Sequence, residues 1–264
     1  MIDIAVLGAD GRMGRMVVAE TLAAGDLNLV AAIADSRSSN LGADVGLVAG
    51  AGQSGVTIAR LDSGCFNGAQ VVVDFSLPQA LEEALPLFDG VAVVSGTTGL
   101  TATQTLAFAS YGVKAPVLLS SNFSSGITLM HDILKRAAAT LHDYDIEIVE
   151  AHHRDKRDSP SGTALSLGRT VAKARGLRQD DVASWGRKSE YPSRPPEGIG
   201  FHSLRCGDVV GEHHIWLAGD GERITFSHVA TSRSTFARGA LRAARWLVGR
   251  DPGYYSMQDV LGLS

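Results

Sequence analysis

The first half of the chain alternates short, continuous apolar runs with stretches of helical spacing. Ile4–Leu7, Leu29–Ile33, Val71–Phe75, Val91–Ser95 and Val117–Ser120 have strand length and are rich in β-branched residues. Met13–Ala24, Pro78–Phe88 and Ala102–Ser110 carry apolar residues at helical intervals, with Pro78 where a first helical turn tolerates it. A strand that is apolar at every position is covered on both faces, which predicts a parallel sheet with helices on either side. Right-handed crossovers then make this an α/β domain, a Rossmann-like doubly wound parallel sheet. Residues 36–68 interrupt the pattern. They are rich in Gly, Ser and Ala, and they predict a long, partly mobile loop with one short strand near Val56–Ala59.

The second half follows another plan. Ile127–Leu141 reads as a long amphipathic helix, Ile146–Val149 as a strand, and Thr163–Arg175 as a helix that starts after Pro160-Ser161-Gly162. Residues 185–200, with Pro192, Pro195 and Pro196, read as a polar surface loop. Phe201–Cys206, Glu212–Leu217 and Arg223–Val229, separated by Gly207-Asp208 and Gly219-Asp220-Gly221, predict an antiparallel meander. The expectation is an α+β substrate-binding and oligomerisation domain with a mostly antiparallel sheet. Two helices cover one face of it, and a partner subunit buries the other. Ser234–Val248 reads as a last helix, packed back on the first domain through Phe236, Ala240, Ala244 and Leu247. The domains are therefore expected at 1–123 with 233–264 (dinucleotide binding) and at 124–232.

Composition narrows the function. Of 264 residues, 45% are hydrophobic and 20% charged, so the chain can bury a core and does not resemble a disordered one. A formal charge of −4 argues against nucleic-acid binding, which needs a basic surface. No apolar run reaches membrane-spanning length, no secretory leader precedes the first strand, and Cys65 and Cys206 lack metal-like spacing. A soluble, cytoplasmic protein with reduced thiols and no metal is expected.

The candidate chemistry lies in loops. Gly8-Ala9-Asp10-Gly11-Arg12-Met13-Gly14 joins the first strand to the first helix, and its glycines would let backbone amides approach a pyrophosphate. The spacing is G-x-x-G-x-x-G, only a partial match to the usual dinucleotide fingerprint. After the second strand stand Asp35, suited to a ribose 2′-hydroxyl, and Arg37, suited to a 2′-phosphate, so NADH and NADPH both remain open. Gly96-Thr97-Thr98 and Ser120-Ser121-Asn122-Phe123 follow further strand ends, where the ligand crevice of such a sheet lies.

The densest segment is Glu150-Ala151-His152-His153-Arg154-Asp155-Lys156-Arg157-Asp158-Ser159-Pro160-Ser161-Gly162-Thr163. Imidazoles, an ammonium, hydroxyls and a helix start suit capture of a small dicarboxylate, with His152 or Lys156 as the acid. Adjacent histidines with no evident third ligand fit a metal poorly.

This segment resembles the signature of the dihydrodipicolinate reductase family of lysine biosynthesis, E-x-H-H-x-x-K-x-D-x-P-S-G-T, at every fixed position. Gly11-Arg12-Met13-Gly14, Gly96-Thr97-Thr98-Gly99, Asn122-Phe123-Ser124, Gly207–His213 and Ser232–Ala237 are similar to other family segments, so the likeness spans nearly the whole chain. The resemblance implies reduction of 4-hydroxy-tetrahydrodipicolinate by NADH or NADPH in a homotetramer built through the second domain's sheet. By the same resemblance His152 is proton donor/acceptor and Lys156 proton donor. His153, Gly162 and Thr163, with Ser161 at the same helix start, bind substrate, while Gly8–Met13, Gly96–Thr98 and Ser120–Phe123 line the cofactor. Members often carry Glu-Arg after the second strand, where this chain has Ala34-Asp35, so the nucleotide preference stays open. The rival readings are a non-enzymatic redox sensor and a related two-domain amino-acid dehydrogenase.

Overall fold

Every residue of Val71–Asp74 and of Ala92–Ser95 is buried, as continuous apolar runs require when helices cover both faces of a sheet. The computed structural model describes residues 1–187 and 193–263. Pro192, in the loop expected over 185–200, lies outside the described residues. The chain divides into two units, Met1–Ser125 with Arg233–Ser264, and Gly126–Ser232. The first begins β1 (Ile2–Leu7), α1 (Arg12–Ala23), β2 (Leu27–Ala34), α2 (Val45–Ala49), β3 (Ile58–Arg60), β4 (Val71–Asp74) and α3 (Pro78–Ala84). A 3₁₀ turn at Leu85–Leu87 follows, then β5 (Ala92–Ser95), α4 (Ala102–Tyr111) and β6 (Pro116–Leu119). The second holds most of α5 (Ser125–Thr140), then β7 (Asp145–His152), α6 (Gly162–Ala174), α7 (Gln179–Val182), β8 (Ala183–Trp185), β9 (Ile199–Arg205), β10 (Gly211–Gly219) and β11 (Glu222–Ala230). The first unit resumes with α8 (Ser234–Leu247), β12 (Gly253–Tyr255) and α9 (Met257–Leu261).

The first unit is the expected doubly wound sheet. Its strands run parallel in the order β12-β6-β5-β4-β1-β2-β3. The chain steps outward from β1 to β2 and β3, then returns to the other side of β1 at β4. The carboxyl ends of β1 and β4 therefore form the switch point where such sheets open a crevice. One face packs Val6, Val73 and Val94 with Val17 and Val18 of α1 and Ala240 and Ala244 of α8. The other packs Val72 and Val93 with Leu81, Phe108 and Tyr111.

Residues 36–68 hold more order than their spacing predicts. Asp44 caps α2 through Leu47 N, and it also accepts from Ser54 N, Ser54 Oγ and Gly55 N, so one carboxylate gathers the loop. Gly50, in the left-handed conformation, ends the helix. Five residues are too few to display a helical period, so α2 escapes sequence reading. The same holds for the three-residue strands β8 and β12 and the short helices α7 and α9.

The second unit departs from the expected meander. Its order is β11-β10-β7-β9-β8, so β7 lies between β9 and β10. β10 and β11 pair antiparallel, as expected, and β10 pairs antiparallel with β7 as well, whereas β7–β9 and β8–β9 pair parallel, so the sheet is mixed. The cause lies at Gly207-Asp208. Cys206 N donates to His152 O and Arg154 N to Gly207 O, so this segment ties β9 to the end of β7 instead of closing a hairpin with β10.

Side chains alternate across a strand. Ile146 and Ile148 of β7 therefore share a face with Ile199 and Phe201 of β9 and with Ile215 and Leu217 of β10, beneath α5 and α6. The same alternation carries Glu150 and His152 onto that face, where register sets Glu150 opposite Ser203 and His213, and His152 opposite Arg205. The face thus turns from apolar to polar within one strand.

Gly14 tests the packing of the first turn. A Cβ there would lie 2.0 Å from the carbonyl oxygen of Gly8, a backbone atom with no room to retreat. Gly14→Ala is expected to lower stability by about 1–3 kcal/mol, read as a reduced urea midpoint; an unchanged midpoint would show that the turn yields freely.

Candidate active site

At the switch point of the first unit lies a cavity of about 400 Å³ lined by Gly8, Asp10, Gly11, Asp35, Phe75 and Leu77 among others. Gly8 has φ +78°, and a Cβ on it would meet the Phe75 carbonyl oxygen at 2.8 Å, so the turn requires glycine. Gly8 N and Ala9 N both donate to Ile33 O, and the Ala9 side chain is fully buried. Of the rest of the turn, Gly11 and Arg12 are exposed, and Met13 packs against the core. Asp10 accepts from Ser38 Oγ.

Asp35 lines the cavity, but it is engaged. Its Oδ1 accepts from Arg37 N at 2.8 Å and Nε at 3.0 Å, and its Oδ2 accepts from Nη2 at 3.0 Å. The guanidinium holds the Asp35 carboxyl down at about 2. The two residues that bear on nucleotide choice thus neutralise one another.

The other two strand-end loops are held by internal bonds. Thr97 is buried and its hydroxyl donates to Asp74 Oδ2 at 2.8 Å, beside Ser95 Oγ at 2.6 Å; Ser76 N donates to Asp74 Oδ1 at 2.9 Å. Asp74, fully buried at the end of β4, has its carboxyl pushed up by burial, and these donors oppose that. Gly96 lets the Phe75 ring approach, since a Cβ would stand 2.3 Å from it. Ser120 Oγ donates to Asn122 O, and Asn122 Oδ1 accepts from Ser124 N, both at 2.8 Å. Phe123 is buried, edge-on to Phe75, while Thr98 and Ser121 are exposed. The hydroxyls of Thr97 and Ser120 therefore shape the loops, and a ligand there would meet mainly backbone. Asp74 was missed in the sequence, although an acid closing an all-valine strand is a readable signal.

In the second unit the polar end of the sheet centres on Glu150, whose side chain is 1% exposed. His152 is the last residue of β7, not a residue past its end as the spacing read. Its Nδ1 lies 2.6 Å from Glu150 Oε2. Arg205 grips the same carboxylate with two prongs, Nη1 to Oε2 at 2.9 Å and Nη2 to Oε1 at 2.8 Å. Ser161 N at 3.1 Å fills Oε1 further. Burial would raise the Glu150 carboxyl, but hydrogen bonds from His152, Arg205 and Ser203 hold it far below the usual range.

Ser161 caps α6, its Oγ accepting from Ala164 N at 3.1 Å and lying 3.1 Å from His213 Nε2. Gly162 is exposed, and a Cβ there would meet nothing within 4 Å. Thr163 is half-buried beside it. His153 is half-buried, and its carbonyl accepts from Lys156 N. Lys156 Nζ lies 2.9 Å from Asp158 Oδ1. The structure therefore brings His152, Ser161 and the start of α6 onto one carboxylate, with Lys156 on the loop between them.

Arg205 and His213 were also missed. Both were legible by alternation, Phe201, Ser203, Arg205 on one strand and His213, Ile215, Leu217 on another, but only with the register known. His213 is 4% exposed, its ring edge-on to His152 at 5.3 Å, and its Nδ1 has no hydrogen-bond partner. Burial, aided by the His152 charge, pushes it down to about 3.

Comparison with known proteins places this architecture. Residues 2–123 match the family description "Dihydrodipicolinate reductase, N-terminus", and residues 126–261 match "Dihydrodipicolinate reductase, C-terminus". The chain is 46% identical to a 4-hydroxy-tetrahydrodipicolinate reductase of Thiobacillus denitrificans, covering 99% of each chain. It is 44% identical to one of Hahella chejuensis over the whole of both. A solved dipicolinate-bound dihydrodipicolinate reductase from Paenisporosarcina sp. TG-14 shares the fold, with TM-score 0.73, 24% identity and 98% of each chain covered. The fold and the matches define a pyridine-nucleotide-dependent reductase of Rossmann type. The chain belongs to the dihydrodipicolinate reductase family. That membership sets aside the sensor and the amino-acid dehydrogenase. Among the described residues, no helix is long and apolar enough to cross a membrane.

Buried His213 makes stability depend on pH. Between its ordinary 6.5 and its native value of about 3, the unfolded chain holds a proton that the native chain does not. Stability should therefore fall as pH drops below 6.5, by at most about 1.4 kcal/mol per unit from this group. His213→Gln is expected to flatten the decline between pH 6.5 and 5 in urea titrations; an identical slope would show that His213 is protonated in the native state.

Proposed function

We propose that the polar end of the second unit's sheet binds the dicarboxylate and hands it a proton. The reaction is the NAD(P)H-dependent reduction of 4-hydroxy-tetrahydrodipicolinate to tetrahydrodipicolinate, a step in the making of diaminopimelate and lysine. The observation that carries the site assignment is the shared anchor at Glu150. One buried carboxylate accepts from His152 and from the backbone at the start of α6, so acid and anion-binding edge are fixed together.

The crevice in the first unit fits a dinucleotide. Its floor is Gly8 and Gly11, Leu7, Leu61, Leu77 and Ala80 offer an apolar side to a base, and Asp35 stands where a ribose hydroxyl would lie. Gly8, Ala9, Asp10, Gly11, Arg12 and Met13 would hold the diphosphate, Ala9 through its backbone alone. Gly96, Thr97, Thr98, Ser120, Ser121, Asn122 and Phe123 would hold the nicotinamide end. When bound, the nicotinamide supplies hydride to the ring left after the substrate loses water.

The chain's own residues do the rest. Ser161, Gly162 and Thr163 present a helix start to one carboxylate, where free N–H groups and the helix dipole favour an anion. Lys156 adds positive charge, and His153 adds a ring nitrogen, for the substrate. Gly162 supports this reading, because neither φ nor packing demands glycine there and the space beside its Cα is open. His152 or Lys156 delivers the proton that follows the hydride. NADH and NADPH are both accepted, since the Asp35–Arg37 pair offers either a 2′-hydroxyl or a 2′-phosphate a partner once it parts.

The sheet face turned away from α5 and α6 carries Leu204, Trp216 and Val229, which are 54%, 37% and 51% exposed. It is the proposed interface of a cytoplasmic homotetramer, and light scattering reads the subunit number directly.

Paired variants test the site. Oxidation of the reduced nicotinamide is followed by absorbance, with substrate formed in situ from pyruvate and aspartate semialdehyde. His152→Ala should lower turnover by about 10²–10⁴ with cofactor affinity intact; wild-type turnover would remove His152 from the mechanism. Gly162→Ala should fold normally and raise the substrate KM by about tenfold or more; an unchanged KM would move carboxylate binding away from the start of α6.

A further inference from the structure

We propose that Glu150 and Arg205 act as a positioning pair for His152. The carboxylate dictates which imidazole nitrogen carries the proton, and the guanidinium holds the carboxylate. The inference rests on the reading of His152 as a proton donor, and it assigns roles to two residues outside that reading.

Geometry carries the argument. An ionised carboxylate only accepts hydrogen bonds. At 2.6 Å from Glu150 Oε2, His152 Nδ1 must therefore be the donor, and the neutral ring keeps its other nitrogen, Nε2, as the acid–base edge. That edge lies against Gly211, where a Cβ would stand 3.0 Å from Nε2. Glycine at 211 thus keeps the reactive side of the ring uncovered.

The carboxylate cannot turn to release the ring. Arg205 holds both its oxygens, and Ser161 N holds Oε1. Arg205 is itself fixed, for Nη2 also donates to Asp158 O at 2.6 Å and Nη1 to Leu204 O at 2.6 Å. Asp158 is the residue paired with Lys156, so the same guanidinium anchors the loop that carries the second candidate donor. The groups facing His152 are Glu150 on its own strand, Arg205 from β9 and His213 from β10. His228 of β11 stands behind His213, with ring centroids 6.4 Å apart. Glu150 is the group among them that accepts from the ring, so its removal takes away the contact that fixes the tautomer.

The experiment uses the whole chain. In protein labelled with ¹⁵N-histidine, the His152 signal is assigned by its loss in His152→Ala. The neutral form is expected to be protonated at Nδ1. In Glu150→Gln that preference should vanish, and kcat should fall by about 10- to 100-fold with the cofactor KM unchanged. Arg205→Lys, which keeps the charge and loses the two-pronged grip, should give a smaller loss of the same kind. A wild-type ring protonated at Nε2, or a Glu150→Gln enzyme with wild-type kcat, overturns the proposal. If Glu150→Gln does not fold, the wild-type spectrum and Arg205→Lys decide. Wild-type turnover in His152→Ala sinks the proton-donor reading itself, a result distinct from a failure of the pair alone.

Discussion

At Glu150 a carboxylate sits almost wholly out of water, on the face of a sheet that a few residues earlier is packed with isoleucine. Desolvation of a lone carboxylate would drive it neutral or out of the fold. It stays ionised because Arg205, Ser161 N and His152 fill its oxygens. Removing one partner from such a buried set typically costs about 3–5 kcal/mol, against 0–1 for an exposed ion pair. The exposed Arg37–Asp35 and Arg178–Asp181 pairs therefore carry little of the fold, whereas the Glu150 cluster binds three segments at once: β7, β9 and the start of α6.

The first unit meets the related problem of a buried acid without a cation. Asp74 is surrounded by hydroxyls and an amide, and burial pushes its carboxyl up where Arg205 and the other donors pull Glu150 down. The consequence differs accordingly. Asp74 stitches the ends of β4 and β5 together, while Glu150 fixes the imidazole of His152. In both units the candidate site loops leave the carboxyl ends of strands whose bodies are apolar core, which is how short loops keep their geometry.

The elements of eight residues or more were legible, because each shows its period several times over. Among the shorter elements, the strands β4, β5 and β6 were legible as continuous apolar runs, whereas α2, β8 and β12 were not, since they end before any period repeats and carry no such run. The mixed order of the second sheet escaped for another reason. Turn residues at Gly207-Asp208 look the same whether they close a hairpin or tie off against the end of β7, and only bonds from Cys206 N and Arg154 N distinguish the two. Among the candidate site residues, His152, Lys156 and the Ser161-Gly162-Thr163 helix start stood out because they lie in one short segment. Arg205 and His213 did not, lying 55 and 63 positions beyond Glu150.

By itself the sequence determined the parallel sheet, the glycine turn at its first strand and the chemical inventory of residues 150–163. These depend on local period, on backbone conformation and on side-chain type. Tertiary structure alone decided that β7 would lie between β9 and β10, and hence that Arg205 and His213 would flank Glu150 and His152. The physical reason is that strand register is a long-range choice. It is fixed by which apolar faces meet beneath α5 and α6 and by where a buried charge finds its partner, and neither is written in neighbouring residues.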